Sequence, residues 1–294
     1  MKIKKKIIVT GGCGFVGTNL ILLLLKKTNY EIISLDNYSS GTKKNHIKNS
    51  RVKYLKGNTV NISQLIKNKN KIEVVFHFGE FARIYQSFSN MSQCIESNSI
   101  GSNAVFNFCL KNKIKLIYSA TSASLGNKGD DKNLSPYAFT KSKNLELLEN
   151  LKKWFNFKYE VIYFYNVYGP HHISKGKMAT VIGIFEDHFK RKKKLPVVRP
   201  GTQTRRFTHI DDTVNICFLA WKKNLCRHYS IANKKSYSLI EVSKMFNSKI
   251  KLLPKRAGER YVSALTNMNL SNKIYKHFGA IDLKDYIKDF ILRN

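Results

Sequence analysis

Lys6-Ile7-Ile8-Val9-Thr10-Gly11-Gly12-Cys13-Gly14-Phe15-Val16-Gly17 decides how this chain folds. A short apolar run, Ile7–Thr10, ends on glycines at 11, 14 and 17, and the helical stretch Thr18–Lys27 follows at once. Glycines at these spacings permit a tight turn, let the backbone approach a pyrophosphate, and let helix and strand pack closely, with the helix N-terminus facing the phosphates. A glycine triplet alone is a weak sign. Here it sits between a strand and a helix, and a second strand, Glu31–Leu35, ends in Asp36. A carboxylate at that place accepts hydrogen bonds from both ribose hydroxyls and repels a 2′-phosphate, so the pattern predicts NAD rather than NADP.

Outward from this loop, short runs rich in Ile, Val, Phe and Tyr alternate with longer helical stretches. The runs are Lys6–Thr10, Glu31–Leu35, Val52–Leu55, Val74–Phe78, Leu116–Ser119 and Val161–Tyr165. Such alternation predicts an α/β chain: a Rossmann-type doubly wound parallel sheet with both faces covered. After about Gly169 the alternation loosens, and Ala179–Phe189 and Leu239–Phe246 read as helices of a smaller α/β substrate-binding lobe. No Gly/Ser-rich linker divides the two. The expected division is a nucleotide-binding domain over 1–169, completed by about 201–233, with 170–200 and 234–294 forming the interleaved lobe.

The 294 residues are 43% hydrophobic, enough for one sizeable core with a smaller lobe. Fifty-two Lys and Arg against 19 Asp and Glu give a net charge of +33, which raises nucleic acid as a partner. The lysines argue otherwise, because they are scattered in short runs and not interleaved with aromatics on one element. Abundant Lys, Asn, Ile, Tyr and Phe are also what an AT-rich coding sequence yields. A basic surface suits an anionic small substrate instead. Cys13, Cys94, Cys109, Cys217 and Cys226 form no CxxC pair and read as reduced packing residues of a cytoplasmic protein. The apolar run after Lys4–Lys6 stops too soon for an export signal, and Leu20–Leu25 is far too short for a membrane span. His171-His172 point in different directions and lack a third nearby ligand, so no metal is expected.

The run Leu116–Ser119 leads into Ala120-Thr121-Ser122-Ala123, and a polar loop later come Ser135-Pro136-Tyr137-Ala138-Phe139-Thr140-Lys141. Four residues apart on a helix, Tyr137 and Lys141 share a face, and an ammonium near a phenol favours the phenolate. Alone, the pair is better read as an aromatic packed on the core beside a lysine reaching solvent.

The chain resembles the extended short-chain dehydrogenases of the NAD-dependent epimerase/dehydratase type, which include UDP-glucose 4-epimerase. The likeness runs in order along nearly the whole chain: Thr10–Gly17, Asp36-Asn37, Gly57-Asn58, His77-Phe78-Gly79, Asn98–Gly101, Tyr137 with Lys141, Phe164–Pro170, Gly201–Arg205 and Arg256–Glu259. It implies a catalytic set of Thr121, which holds the reacting hydroxyl, Tyr137, the base, and Lys141, which holds the nicotinamide ribose. The implied cofactor set is Gly11, Gly14, Phe15, Val16, Gly17, Asp36, Asn37, Asn58, Thr59, Phe78, Gly79, Asn98 and Phe164, with Tyr137 and Lys141. Asn58 stands where the family usually has Asp near the adenine. Asn166 resembles the residue touching the substrate diphosphate, and Arg205 and Arg256 the arginines that clamp it, a task suited to charge-assisted pairing. Val262 or Ser263 falls where the family lines the sugar pocket, and either is small enough to admit an N-acetyl group. A homodimer is also implied, formed by helices around Ile95–Cys109 and Pro136–Lys153.

Three departures bear on substrate identity. The loop between Thr121 and Tyr137 is short, Glu80 stands where a small residue is common, and Tyr163 replaces a usual arginine. Among reactions, 4,6-dehydratases carry Asp-Glu after the Thr and sugar-acid decarboxylases keep a Glu two residues after it, whereas this chain has Ser122 and Ala123. Neither moves that proton at neutral pH. The expected function is therefore NAD-dependent 4-epimerisation of a nucleotide sugar, most simply a UDP-hexose or UDP-N-acetylhexosamine. A 4-keto reductase is the alternative, and a non-catalytic NAD and nucleotide-sugar binder is a third reading that the Thr-Tyr-Lys set argues against.

Overall fold

A computed structural model describes residues 5–125, 132–257 and 274–294. Six strands fall within two residues of the expected runs: β1 Lys6–Thr10, β2 Glu31–Asp36, β3 Val52–Lys56, β4 Ile72–His77, β5 Lys115–Thr121 and β6 Tyr159–Phe164. With His228–Ala232 and Ile274–Phe278 they build one eight-stranded sheet, ordered Ile274–Phe278, His228–Ala232, β6, β5, β4, β1, β2, β3. Every pairing in it is parallel. The order reverses between β1 and β4, and a doubly wound sheet opens its ligand crevice at the carboxyl ends of the strands there.

Period-two alternation sorts the strand side chains onto two faces. Ile7 and Val9 pack with Leu20, Ile21 and Leu24 of the helix Phe15–Lys27 (α1) and with Val214 and Cys217 of the helix Ile210–Lys223. Ile8, on the other face, joins Phe106, Phe108 and Leu148 from the helices Ser102–Lys111 and Pro136–Phe155. Both faces are dry, so the strands are nearly continuous apolar runs. A separate cluster, Tyr168, Ile182, Phe185, Phe207, Leu239, Phe246, Leu283 and Ile287, holds the helices Val181–Lys190, Leu239–Met245 and Leu283–Leu292 together. The strand Ile274–Phe278 lies in the large sheet, although it falls inside the stretch expected for the smaller lobe.

The helix Pro136–Phe155 has clear boundaries in sequence. The Ser135 side chain caps it by accepting from the Ala138 N–H (3.1 Å), proline takes the first turn, and Asn156 ends it in the left-handed region at φ 50°. Tyr137 is thereby set in the first turn and Lys141 one turn on, both beside the end of β5. Among the described residues no helix is long and apolar enough to cross a membrane.

Candidate active site

The β1–α1 turn leaves no room for side chains. Gly11 has φ +68°, and a Cβ there would lie 2.8 Å from the Gly79 nitrogen. A Cβ on Gly17 would lie 2.2 Å from the Gly11 carbonyl oxygen. The N-cap, Gly14, offers no side-chain bond to the first turn of α1, so the helix presents uncapped N–H groups where an anion binds well. At the end of β2, Asp36 accepts from Cys13 N–H (2.9 Å) and Tyr38 N–H (2.8 Å). Burial pushes its carboxyl up from the ordinary range, against the pull of those two donors. A glycine cradle, an open helix terminus and a carboxylate on the neighbouring strand together fit a dinucleotide with a free ribose.

A cleft of about 450 Å³ runs from this turn along the strand ends. Gly11, Gly14, Phe15, Val16 and Gly17 line it, as do Asp36, Asn37, Asn58 and Thr59 on the β2 and β3 side. Phe78 and Gly79 follow β4, and Phe78 meets Phe164 edge to face at 5.5 Å. Asn58 caps the turn Thr59–Asn61 and donates to Glu96 Oε1 (3.3 Å). Farther along stand Thr121, Tyr137, Lys141, Asn166, Arg205 and Arg256. Asn166 donates to the Arg206 carbonyl (3.3 Å), and the Arg256 guanidinium lies 5.4 Å from the centre of the Tyr85 ring.

Asn98 is the exception. It is fully buried and absent from the cleft wall, since its amide oxygen accepts from Phe81 N–H (2.6 Å) and its nitrogen donates to the Phe81 carbonyl (3.0 Å). It ties the turn after β4 to the helix Pro136–Phe155, because its amide also donates to Thr140 Oγ1 (3.2 Å). Val262 and Ser263 lie outside the described residues. His172 is bonded to Glu186 (2.9 Å) and His171 to Asn45 (3.3 Å).

Thr121, Tyr137 and Lys141 are each under a tenth exposed. The Tyr137 phenol is pushed up to about 12, chiefly by burial and also by Glu80, against the lowering effect of a hydrogen bond from Thr121 and the charge of Arg83. Lys141 is hydrogen-bonded to the Glu80 carboxylate and the Ser119 carbonyl, and its ammonium sits 4.8 Å from the centre of the Tyr118 ring. Glu80 and Arg83, both on the turn after β4, are the site residues that sequence reasoning missed. Glu80 stood out as a departure from the family pattern without a role, and nothing in the sequence marked Arg83.

A model of the NAD dependent epimerase/dehydratase family matches residues 7–232. An ADP-L-glycero-D-manno-heptose-6-epimerase from Brachyspira hyodysenteriae is 27% identical over 87% of this chain and 84% of its own length. A dTDP-D-glucose 4,6-dehydratase from Dictyostelium discoideum is 28% identical over 82% of this chain and 61% of its own. In structure, the UDP-glucose 4-epimerase of Thermotoga maritima, solved with UDP-glucose, superposes with a TM-score of 0.85 at 22% identity, covering 98% of this chain and 97% of that one. The names of these relatives span different reactions, two epimerisations and a 4,6-dehydration. With the family's signature spanning the sheet from β1 to His228–Ala232, this chain belongs to the NAD-dependent epimerase/dehydratase family of nucleotide-sugar enzymes.

Proposed function

We propose that the chain is a 4-epimerase of a nucleotide-linked hexose or N-acetylhexosamine, with UDP the simplest carrier, working through a transient 4-keto sugar. Within this reading, residues 1–169 and about 201–233 carry the cofactor, and 170–200 with most of 234–294 carry the sugar nucleotide. The observation that carries it is a complete Thr121, Tyr137 and Lys141 set on one buried wall, with Ser122 and Ala123 where eliminating relatives need acids. Glu80 does not substitute for them, because its oxygens are held by Lys141, Ser102, Tyr118 and Asn144.

The glycine cradle would hold the pyrophosphate of NAD, Asp36 its adenosine ribose and Lys141 its nicotinamide ribose. When bound, NAD supplies reversible hydride chemistry at the nicotinamide ring. Thr121 orients the sugar hydroxyl, and the Tyr137 oxygen takes that hydroxyl's proton and later returns it. Asn166, Arg205 and Arg256 engage the diphosphate, leaving the sugar free to turn about its link. Buried walls keep water from the ketone.

The test is incubation with UDP-, GDP-, CDP- and dTDP-sugars, reading stereochemistry by NMR, in the wild type and in Tyr137→Phe. Inversion at C4, lost about a thousandfold in the variant, is expected. Near-normal turnover in Tyr137→Phe would remove Tyr137 as the base.

A further inference from the structure

Glu80 is an acid in a chain poor in acids, and it is placed beside the lysine that the proposed chemistry uses. Its side chain is 2% exposed and that of Lys141 4%. One carboxylate oxygen takes Lys141. The other accepts from Ser102 Oγ (2.7 Å), Tyr118 OH (3.1 Å) and Asn144 Nδ2 (3.3 Å). Ser102 also bonds His77 Nε2 (3.0 Å), whose Nδ1 meets Thr10 Oγ1 (2.7 Å) at the start of the glycine turn. A buried polar chain thus links Lys141 to the cofactor loop through Glu80. Such a network fixes geometry because every member is satisfied.

The pairing also redistributes charge. An ammonium paired at contact distance with a carboxylate presents a dipole, not a net charge, to its surroundings. Arg83 is different. Its guanidinium donates to the Met178 carbonyl from Nε (3.0 Å) and to the Ala82 carbonyl from Nη1 (2.8 Å). Among the described residues it has no carboxylate partner, and it lines the same cleft as Tyr137. We propose, resting on Tyr137 as the base, that Glu80 is the positioning residue for Lys141, and that Arg83 replaces Lys141 as the cation favouring the Tyr137 phenolate.

The other groups around the phenol fit this division. Thr121 from β5 hydrogen-bonds to it, and Cys94, from the helix Met91–Ile95, is a thiol that burial pushes up and leaves neutral. Burial holds His77 neutral and Tyr118 protonated. Arg205 and Arg256 line the same cleft. The helix Ile84–Ser89, which starts at the residue after Arg83, packs on the first turn of the Tyr137 helix: Tyr137 N–H donates to Ser87 Oγ (3.3 Å) and Ile84 packs against the cluster that holds Tyr137. In this setting Glu80 raises the phenol and Arg83 lowers it.

The test follows the Tyr137 phenol directly. Tyrosines carrying ¹³C at Cζ are titrated by NMR, with Tyr137 assigned as the resonance that Tyr137→Phe removes. Glu80→Gln should move its titration down by about one pH unit or more. Adding Arg83→Gln should move it back up by a similar amount, while Glu80→Asp stays near the wild type. If Glu80→Gln alone does not fold, Glu80→Gln with Lys141→Met removes both charges and should titrate near the wild type. An unchanged titration in Glu80→Gln, no reversal by Arg83→Gln, or a displaced titration in the doubly neutral protein would overturn the proposal. Loss of turnover on UDP-glucose in Tyr137→Phe, measured alongside, separates failure of this inference from failure of Tyr137 as the base.

Discussion

Gly17→Ala should cripple the cofactor cradle without touching any side chain of the site. The new Cβ would lie 2.2 Å from the Gly11 carbonyl oxygen, 2.7 Å from the Gly12 Cα and 2.9 Å from the Gly11 carbonyl carbon. All three are backbone atoms, so no rotamer change relieves the clash. Ordinary contact needs α1 to withdraw by about 1 Å from the turn, and forced overpacking of this kind costs about 1–3 kcal/mol. The larger effect falls on binding, because the first N–H groups of α1 move with the helix. Losing one charge-assisted hydrogen bond to the pyrophosphate, about 2 kcal/mol, weakens NAD roughly 30-fold. Gly14→Ala is the internal control: its Cβ would meet only the Gly11 carbonyl oxygen, at 3.2 Å, which a shift of a few tenths of an ångström relieves. Calorimetric titration with NAD, with thermal melts to check folding, reads both. Gly17→Ala binding NAD within threefold of the wild type, or Gly14→Ala losing as much, would refute the steric argument.

Asp36→Ala should weaken NAD and relax discrimination against NADP, since ribose hydrogen bonds and a repulsive charge vanish together; a wild type that already prefers NADP in a binding assay would contradict it. Burial pushes His77 down to about 4 from its ordinary 6.5, so the unfolded chain takes up that proton first as pH falls. The associated stability is complete above about pH 6.5 and is lost toward pH 4, up to about 3 kcal/mol. Denaturant curves of His77→Gln should accordingly lose less stability on acidification than those of the wild type. Ile100 and Phe139, 54% and 43% exposed on the two segments expected to pair, should be covered in a homodimer. Light scattering at physiological salt should show a dimer that Phe139→Asp weakens, and a monomeric wild type would exclude it.

Much of this site was legible because its parts are local. The glycine turn, its helix and Asp36 occupy one βαβ unit, and Tyr137 and Lys141 one helical turn, so spacing read together with the flanking strand and helix patterns carries the geometry. Asn98, expected at the cofactor, bonds the backbone of the turn after β4 with its side chain. Its block matched the family, but whether an amide faces the cleft or the turn behind it depends on how the helices after β4 pack, and that information is not in its neighbours. Glu80 and Lys141 are 61 residues apart, and only the close approach of the turn after β4 to the helix Pro136–Phe155 joins them. Ile274–Phe278 went unread as a sheet strand because its partner, His228–Ala232, follows a loosened alternation with no repeated βαβ spacing.

The excess of basic residues takes a different meaning once the acids are located. Three of the 19 acids, Glu160, Asp36 and Glu80, each accept from several buried or part-buried donors. Glu160 accepts from Lys115 Nζ (2.7 Å) and from the Cys226 and Arg227 N–H groups (3.1 and 2.9 Å). Asp36 accepts from the Cys13 N–H of the cofactor turn and the Tyr38 N–H after β2, and Glu80 accepts from Lys141 and three neutral donors. Stripping any of these leaves buried donors unpaired at about 1–3 kcal/mol each. An exposed acid changed to lysine or asparagine costs almost nothing by comparison. By this reasoning a lysine is tolerated in place of a surface acid and not at these interior positions. The +33 net charge thus coexists with acids retained at these interior positions, and a basic chain suits the diphosphate proposed as its substrate.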